Sequence, residues 1–201
     1  VAAGLFFRGG VKNVNPQNAG VAGFSLSAAT EGSRRFPRET LRRELARTGS
    51  SIGSAANYDF NVLSLASTRQ NFDRSWEVFT DIALNPAFAP EDVELTREKI
   101  VTSLRESTTD PDGYLQILQE GVIYANHPYA NSPRGTIENI SRLKIEDLRA
   151  FHQSQMQTSR LLLVIVGDLD ANALKARIAE TFGRLPRGSY QEQPTSPIAF
   201  T

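Results

Sequence analysis

The chain has 201 residues, and its 22 lysines and arginines balance 22 aspartates and glutamates, so that the formal net charge is zero. Such a balance gives no long-range attraction to nucleic acid or to an anionic membrane. The absence of cysteine excludes disulfide bonds, thiolate catalysis and cysteine-bound metal. No apolar run approaches the ~18 residues of a membrane span. We therefore expect no nucleic-acid partner and no membrane span, in a chain long enough for a sizeable core.

The N-terminal third predicts a strand, two helices and a hairpin. VAAGLFFRGG is rich in β-forming residues and ends in two glycines, which indicates a strand and a turn. Helices are predicted over 17–29 and over 37–49, where Gly49 is the stop signal. Two further strands are predicted at 51–56 and 60–67, with Asn-Tyr-Asp as the turn between them.

The remainder of the chain predicts mostly helices. Amphipathic patterns indicate helices over 71–84, 90–107, 112–125, 136–143 and 145–156. The nearly continuous apolar run at 159–170 predicts a strand that is buried on both faces or central in a sheet, and a last helix follows over 171–182. This order predicts an α+β fold, in which a layer of helices packs on one face of a mainly antiparallel β-sheet.

Two features bear on the ends of the chain. Residues 188–201 are polar and contain proline before the apolar Ile198, Ala199 and Phe200, so we assign 1–187 to one domain and 188–201 to a linker or the start of the next domain. The chain does not open on methionine, and no signal peptide is visible. We therefore expect a soluble processed or partial chain, with any targeting segment missing from this sequence and the compartment unknown.

Four segments, in this order, resemble the N-terminal domain of the insulinase/pitrilysin family of zinc metallopeptidases, which includes mitochondrial processing peptidase. AGVAGFSLSAATEGS resembles the family's Gly-x-Ala-His-x-x-Glu-His helix, and LRRELARTGSSIGSAANYDFNVLSL its helix, glycine turn and hairpin. NPAFAPEDVELTREKIVTSL resembles the helix that carries the distal metal ligand. HPYANSPRGTIENISRLKIEDLRAFHQSQM, followed by LLLVIVGDLD, resembles the closing loop, helix and strand. The resemblance covers nearly the whole chain to about Arg187.

The resemblance implies a zinc site of the H-x-x-E-H type. In that motif two histidines four residues apart share a helix face and bind zinc, and the glutamate before the second histidine is the general base. Laid residue by residue, the two histidines fall on Gly23 and Ser27, and the general base falls on Leu26. The distal glutamate ligand falls on Ser103, and a supporting acid two turns earlier falls on Thr96.

None of these residues can perform the family's chemistry. Glycine and leucine have no donor atom, and a neutral serine hydroxyl is a poor zinc ligand. We therefore predict a degenerate member without catalytic residues, in which the zinc expected from the family is absent. His127 and His152 lie in different segments, and we expect structural or solvent-exposed roles for both.

A substrate contact is also implied by the resemblance. In the family, an extended peptide adds to the edge strand of the hairpin. The corresponding residues here are Ser51, Ile52, Gly53, Ser54 and Ala55, and the family's Asn-Ala pair falls on Gly53 and Ser54.

Three functions stay open at this point. The first is a non-catalytic subunit or domain of a zinc peptidase assembly, which pairs with a catalytic sister subunit, its own C-terminal domain or a second copy, and helps to form a chamber for unfolded peptides. The second is an active zinc metalloendopeptidase with an unconventional metal site. The third is a purely structural subunit, like the core subunits of the respiratory cytochrome complex. Candidate partner contacts are Phe72, Trp76 and Phe79 on one helix face and the pair Phe6 and Phe7. The core is the alternative place for each group, and it is the place that we expect for the Trp76 face.

Overall fold

The computed structural model describes residues 1–192, 194 and 197, and within them it contains four strands and eight α-helices. The strands are β1 (Ala2–Arg8), β2 (Ser51–Ala56), β3 (Phe60–Ala66) and β4 (Leu161–Val166). The helices are α1 (Val21–Ala29), α2 (Arg38–Thr48), α3 (Phe72–Leu84), α4 (Pro90–Thr109), α5 (Pro111–Ile123), α6 (Ile137–Arg142), α7 (Ile145–Gln155) and α8 (Ala171–Phe182). None of these helices is long and apolar enough to cross a membrane.

The four strands form one antiparallel sheet in the order β2-β3-β1-β4. Leu5 of β1 pairs with Leu63 on one side and with Leu163 on the other, so these side chains lie on the same face. That face is covered by helices, and its core includes Leu26 of α1, residues of α3 and Phe182 of α8. The predicted α+β class, with helices on one face of an antiparallel sheet, is confirmed.

One expectation about apolar residues is wrong. β4 is an edge strand of the described sheet rather than a central one, and Leu162, Val164 and Val166 on its outer face are 56%, 42% and 67% exposed. An apolar run alone does not distinguish a strand covered on both faces from one covered on a single face. For the face of α3 with Phe72, Trp76 and Phe79, the expected place in the core is confirmed, and these residues are not partner contacts. Phe7 of β1 is also in the core, and the ring of Trp76 packs edge-on against Phe182 at 6.1 Å.

A second apolar cluster joins α1 to α4, α6 and α7. Phe24 of α1 and Val93 of α4 are fully buried in it, together with Ile140 of α6 and Leu148 of α7. Ser25 of α1 also donates a hydrogen bond to the backbone oxygen of Leu148 in α7, at 3.1 Å. The cluster therefore fixes the distance between α1 and α4 without help from the sheet.

Helix α1 begins at Val21, four residues later than the pattern predicts, because Gly20 has a φ of 92°. A Cβ atom on Gly20 would lie 2.7 Å from the Cα atom of Gly135, which itself has a φ of 74°. A Cβ atom on Gly135 would lie 2.5 Å from the backbone oxygen of Ala19. Two glycines therefore allow the loop before α6 to lie directly against the start of α1.

Two described residues near the end of the chain, Tyr190 and Glu192, contact this domain. The ring of Tyr190 lies 4.1 Å from the guanidinium carbon of Arg160, and Glu192 forms an ion pair with Arg8 at 2.8 Å. Half of the predicted linker or new domain over 188–201, including its apolar residues at 198–200, lies outside the described residues.

We expect Gly135→Ala to destabilise the chain by more than about 2 kcal/mol, because a left-handed φ costs a side chain about 1–2 kcal/mol and the backbone of Ala19 blocks the new methyl group. Gly49→Ala is the matched control: its φ is 59°, but no atom lies within 4 Å of the new Cβ position. Urea denaturation of both variants measures the difference. Equal losses of stability in the two variants would contradict the close contact.

Acid should weaken the contact between α2 and α3. Arg74 on α3 and Arg47 on α2 each donate a hydrogen bond to the carboxyl group of Glu44 at 2.7 Å. These bonds, of which that from Arg74 has the larger effect, lower the pKa of this carboxyl group from 4.5 to about 2. A carboxyl group with a lowered pKa stabilises the fold fully above pH 4.5, and this stabilisation is lost as the pH falls through about 2. We expect Glu44→Gln to flatten the dependence of unfolding on pH across this range. The matched control is Glu39→Gln, the same change at an exposed residue of the same helix.

Candidate functional site

Four of the five positions that correspond to the family's zinc chemistry line one cavity of about 350 Å³. Gly23 and Ser27 contribute from α1, and Thr96 and Ser103 contribute from α4. Residues four or seven apart share one face of a helix, so each helix presents its pair to the same space. The two helices thus bring together the positions that the sequence places 69 or more residues apart.

Leu26, the position of the general base, does not line this cavity. Its side chain is 5% exposed and belongs to the core that covers the sheet. A turn of about 100° per residue separates it from Ser27, which is half-buried at the cavity. Leu26 therefore supplies packing at the position where the family has an acid.

Neighbouring atoms leave little space at Gly23, the position of the family's first histidine. A Cβ atom on Gly23 would lie 3.3 Å from the backbone oxygen of Pro133 and 3.4 Å from the Cβ atom of Ala56. Both distances are at or below ordinary van der Waals contact, so a larger side chain requires a shift of the loop or of the end of β2. Phe24 and Ile100 add apolar surface to the same cavity.

A guanidinium group occupies the place beside the distal-ligand position. Nη2 of Arg134 donates to Oγ of Ser103 at 2.9 Å and to its backbone oxygen at 3.3 Å, and Nη1 donates to Oγ of Ser107 at 2.9 Å. Lys99 also lines the cavity and forms an ion pair with Glu31 at 3.0 Å. The cavity therefore presents two cations, hydroxyl groups and the carboxylate of Glu31, which also lines it.

These residues do not fit a zinc ion. Thr96 uses its hydroxyl group to donate to the backbone oxygen of Asp92 at 2.7 Å, and Ser103 accepts from a positive guanidinium group. A bound cation at this place would face Arg134 without imidazole or free carboxylate ligands. Throughout residues 1–192, 194 and 197, no three side chains of histidine, cysteine, aspartate or glutamate are grouped so as to hold a metal ion.

The two histidines make structural contacts. The Nδ1 atom of His127 accepts a hydrogen bond from the backbone N–H of Tyr129 at 3.1 Å. His152 is buried, and its Nε2 atom donates to the backbone oxygen of Ala83 at 2.9 Å. Burial lowers the pKa of the His152 imidazole, which therefore favours the neutral form.

The predicted peptide contact lies on a free strand edge. In the described sheet, β2 pairs only with β3, so its other edge carries unpaired backbone groups. Ser51 and Ala55 are exposed, whereas Ile52 is half-buried against the core. Ala56, the last residue of β2, also lines the cavity, so the free edge leads directly to it.

Lys99 and Arg134 were not predicted as site residues. The helical spacing from Thr96 through Lys99 to Ser103 is a signal that all three share one face of α4. Arg134 has no such local signal, because it reaches the cavity through the contact of Gly135 with the start of α1.

Two family models match the chain. The model described as "Insulinase (Peptidase family M16)" matches residues 1–136, and the model described as "Peptidase M16 inactive domain" matches residues 142–201. The chain belongs to peptidase family M16.

Several M16 relatives are similar over nearly the whole chain. The "Non-peptidase homolog YmxG" of Helicobacter pylori is 22% identical over 190 residues, which cover 94% of this chain and 44% of that protein. The mitochondrial-processing peptidase subunit beta of Caenorhabditis elegans is 23% identical, with 92% and 40% covered. Subunit 1 of the bovine mitochondrial cytochrome b-c1 complex is 23% identical, with 98% and 42% covered. The chain thus spans less than half the length of these relatives, two of which are named as subunits of larger assemblies.

Solved structures show the same fold. The peptidase M16 inactive domain from Pseudomonas fluorescens superimposes with a TM-score of 0.86 at 21% identity, over 97% of this chain and 48% of that one. At this level of identity the likeness establishes the fold alone.

We expect Leu26→Glu to destabilise the chain by about 3 kcal/mol or more, because it removes a buried apolar side chain and places a carboxylate in the core. Ser27→Glu is the matched control, since the neighbouring residue lines a cavity that already holds two cations. Chemical denaturation compares the two variants. A Leu26→Glu variant as stable as Ser27→Glu would show that residue 26 reaches the cavity instead.

Proposed function

We propose that the chain is a non-catalytic subunit or domain of an M16 peptidase assembly, which helps to form a chamber and holds unfolded peptide along the free edge of β2. The observation that carries the proposal is the guanidinium group of Arg134 at Ser103, in a cavity whose other ligand positions are Gly23 and Ser27. Zinc-bound hydroxide and a general base lower the barrier in this chemistry, and the residues present supply neither.

Peptide binding does not require the lost residues. Strand addition depends on backbone hydrogen bonds to a free edge, which β2 offers, and side chains of Ser51 and Ala55 leave that edge uncrowded. The small residues Gly53 and Ser54 at the family's Asn-Ala position reduce specific side-chain contacts, so we expect weak selectivity for sequence along this strand.

A partner is part of the proposal. The outer face of β4 exposes Leu162, Val164 and Val166, and contiguous apolar surface of this kind is typical of sites that another protein covers. We propose that a catalytic sister subunit with an intact H-x-x-E-H motif, or a C-terminal domain of the same protein, provides that cover. The similarity to proteins named as subunits supports this arrangement.

The second candidate is a purely structural subunit, which the similarity to subunit 1 of the bovine cytochrome b-c1 complex favours. In that case the edge of β2 would have no peptide ligand. An active peptidase with an unconventional zinc site is less well supported, because residues 1–192, 194 and 197 contain no suitable group of metal ligands.

We expect the full-length protein to bind an unfolded fluorescent peptide without cleaving it. Fluorescence polarisation should rise with protein concentration and be unaffected by a chelator, mass spectrometry should find the peptide intact, and elemental analysis should find far less than one zinc per chain. An M16 relative with an intact motif serves as the positive control. Chelator-sensitive cleavage would favour the active peptidase, and failure to bind any peptide would favour the structural subunit.

A further inference from the structure

The cavity beside β2 carries more cations than the carboxylate groups near it can pair. Glu31 forms ion pairs with both Lys99, at 3.0 Å, and Arg38, at 3.5 Å. Its carboxylate is therefore shared. Arg134 has no carboxylate within ion-pair distance among the described residues, and its hydrogen bonds go only to neutral serine oxygens. A positive charge at the cavity is left without a counter-charge.

Three residues that line the cavity, Arg134, Ser103 and Ser27, carry hydrogen-bond donors. The hydrogen bonds found for Arg134 use both Nη atoms, so its Nε–H is left for a ligand, and the planar guanidinium group matches a carboxylate. The hydroxyl group of Ser103 accepts from Arg134 and retains its own hydrogen for donation. Ser27, on the opposite helix, adds a second hydroxyl group to the same space.

The surroundings connect the cavity to the strand. Phe24, Ile100 and Pro133 add apolar surface to the cavity, while Lys99, Ser103 and Arg134 at its opening are exposed to solvent. Ala56 belongs to both the cavity and β2. A peptide that pairs with β2 therefore passes the cavity.

We propose that this cavity binds a carboxylate group of the extended peptide, with Arg134 as its principal partner and Lys99 as the second cation. This inference rests on the proposed function, since it assigns a ligand chemistry to the same peptide site. The carboxylate comes either from an acidic side chain within the peptide or from its C-terminus. The cavity is thus a specificity site for acidic groups in place of a metal site.

The test uses the full-length protein and four labelled nine-residue peptides, which carry glutamate or glutamine at the centre and a free or amidated C-terminus. We expect the peptide without either carboxylate to bind about tenfold more weakly than the peptide with both, as for the loss of one charge-assisted hydrogen-bonded contact. The single changes identify the source, because only the change that removes the bound carboxylate weakens binding.

Variants connect the preference to the cavity. Arg134→Gln should reduce the tenfold preference to less than about twofold, and Lys99→Gln should reduce it in part without altering the loop. Arg105→Gln, the same change of charge on an exposed residue of α4 that does not line the cavity, should keep the full preference. Circular dichroism checks that the variants are folded.

A second peptide series separates the two proposals. N-methylation of alternate peptide amides should weaken binding with a period of two residues if the peptide adds to β2. That periodicity without any preference for carboxylate, or a preference that persists in Arg134→Gln, would overturn the inference and leave the proposed function intact. Absence of binding by all four peptides would overturn both.

Discussion

The contact between two backbones at Gly20 and Gly135 decides the geometry of the candidate site. Both residues have left-handed φ values, and the Cβ atom of any other residue would meet the opposing backbone at 2.7 Å or less. The contact ends the loop before α1 and holds the Pro133–Arg134 segment over the gap between α1 and α4. Nδ2 of Asn139 reinforces it by donating to the backbone oxygen of Pro16 at 2.7 Å. This close contact between the two backbones sets the wall of the cavity and the position of the Arg134 guanidinium group.

Much of the fold is predictable from local pattern, because burial of one helix face or one strand face repeats along the sequence. The hairpin of β2 and β3 is predicted to within a residue, since a three-residue turn of polar type separates two β-rich runs. The neighbours of a strand are not encoded locally, which is why the apolar β4 was expected in the centre. Likewise the start of α1 depends on the conformation of Gly20, which is set by its packing against Gly135.

The candidate site, too, is predictable from the sequence only in part. The resemblance to a family motif places Gly23, Ser27, Thr96 and Ser103 at positions that meet in one cavity. It could not show that Leu26 packs into the core, because a leucine has different solvation needs from the glutamate that the motif has there. Nor could it find Arg134, whose approach to Ser103 depends on a loop that lies 31 residues further along the chain.

A cavity of this kind does not need a metal ion to keep its shape. The distance between α1 and α4 is set by an apolar cluster in which Phe24 and Val93 are fully buried, and none of its members is a former ligand position. Small residues at Gly23 and Ser27 leave space, and the loop and the end of β2 approach that space to within van der Waals contact. A metal site needs anionic or imidazole donors that face a cation. Here the same walls carry hydroxyl groups, the Lys99–Glu31 ion pair and the guanidinium group of Arg134, which has no carboxylate partner among the described residues, so the ligand that we propose is an anion rather than a metal ion.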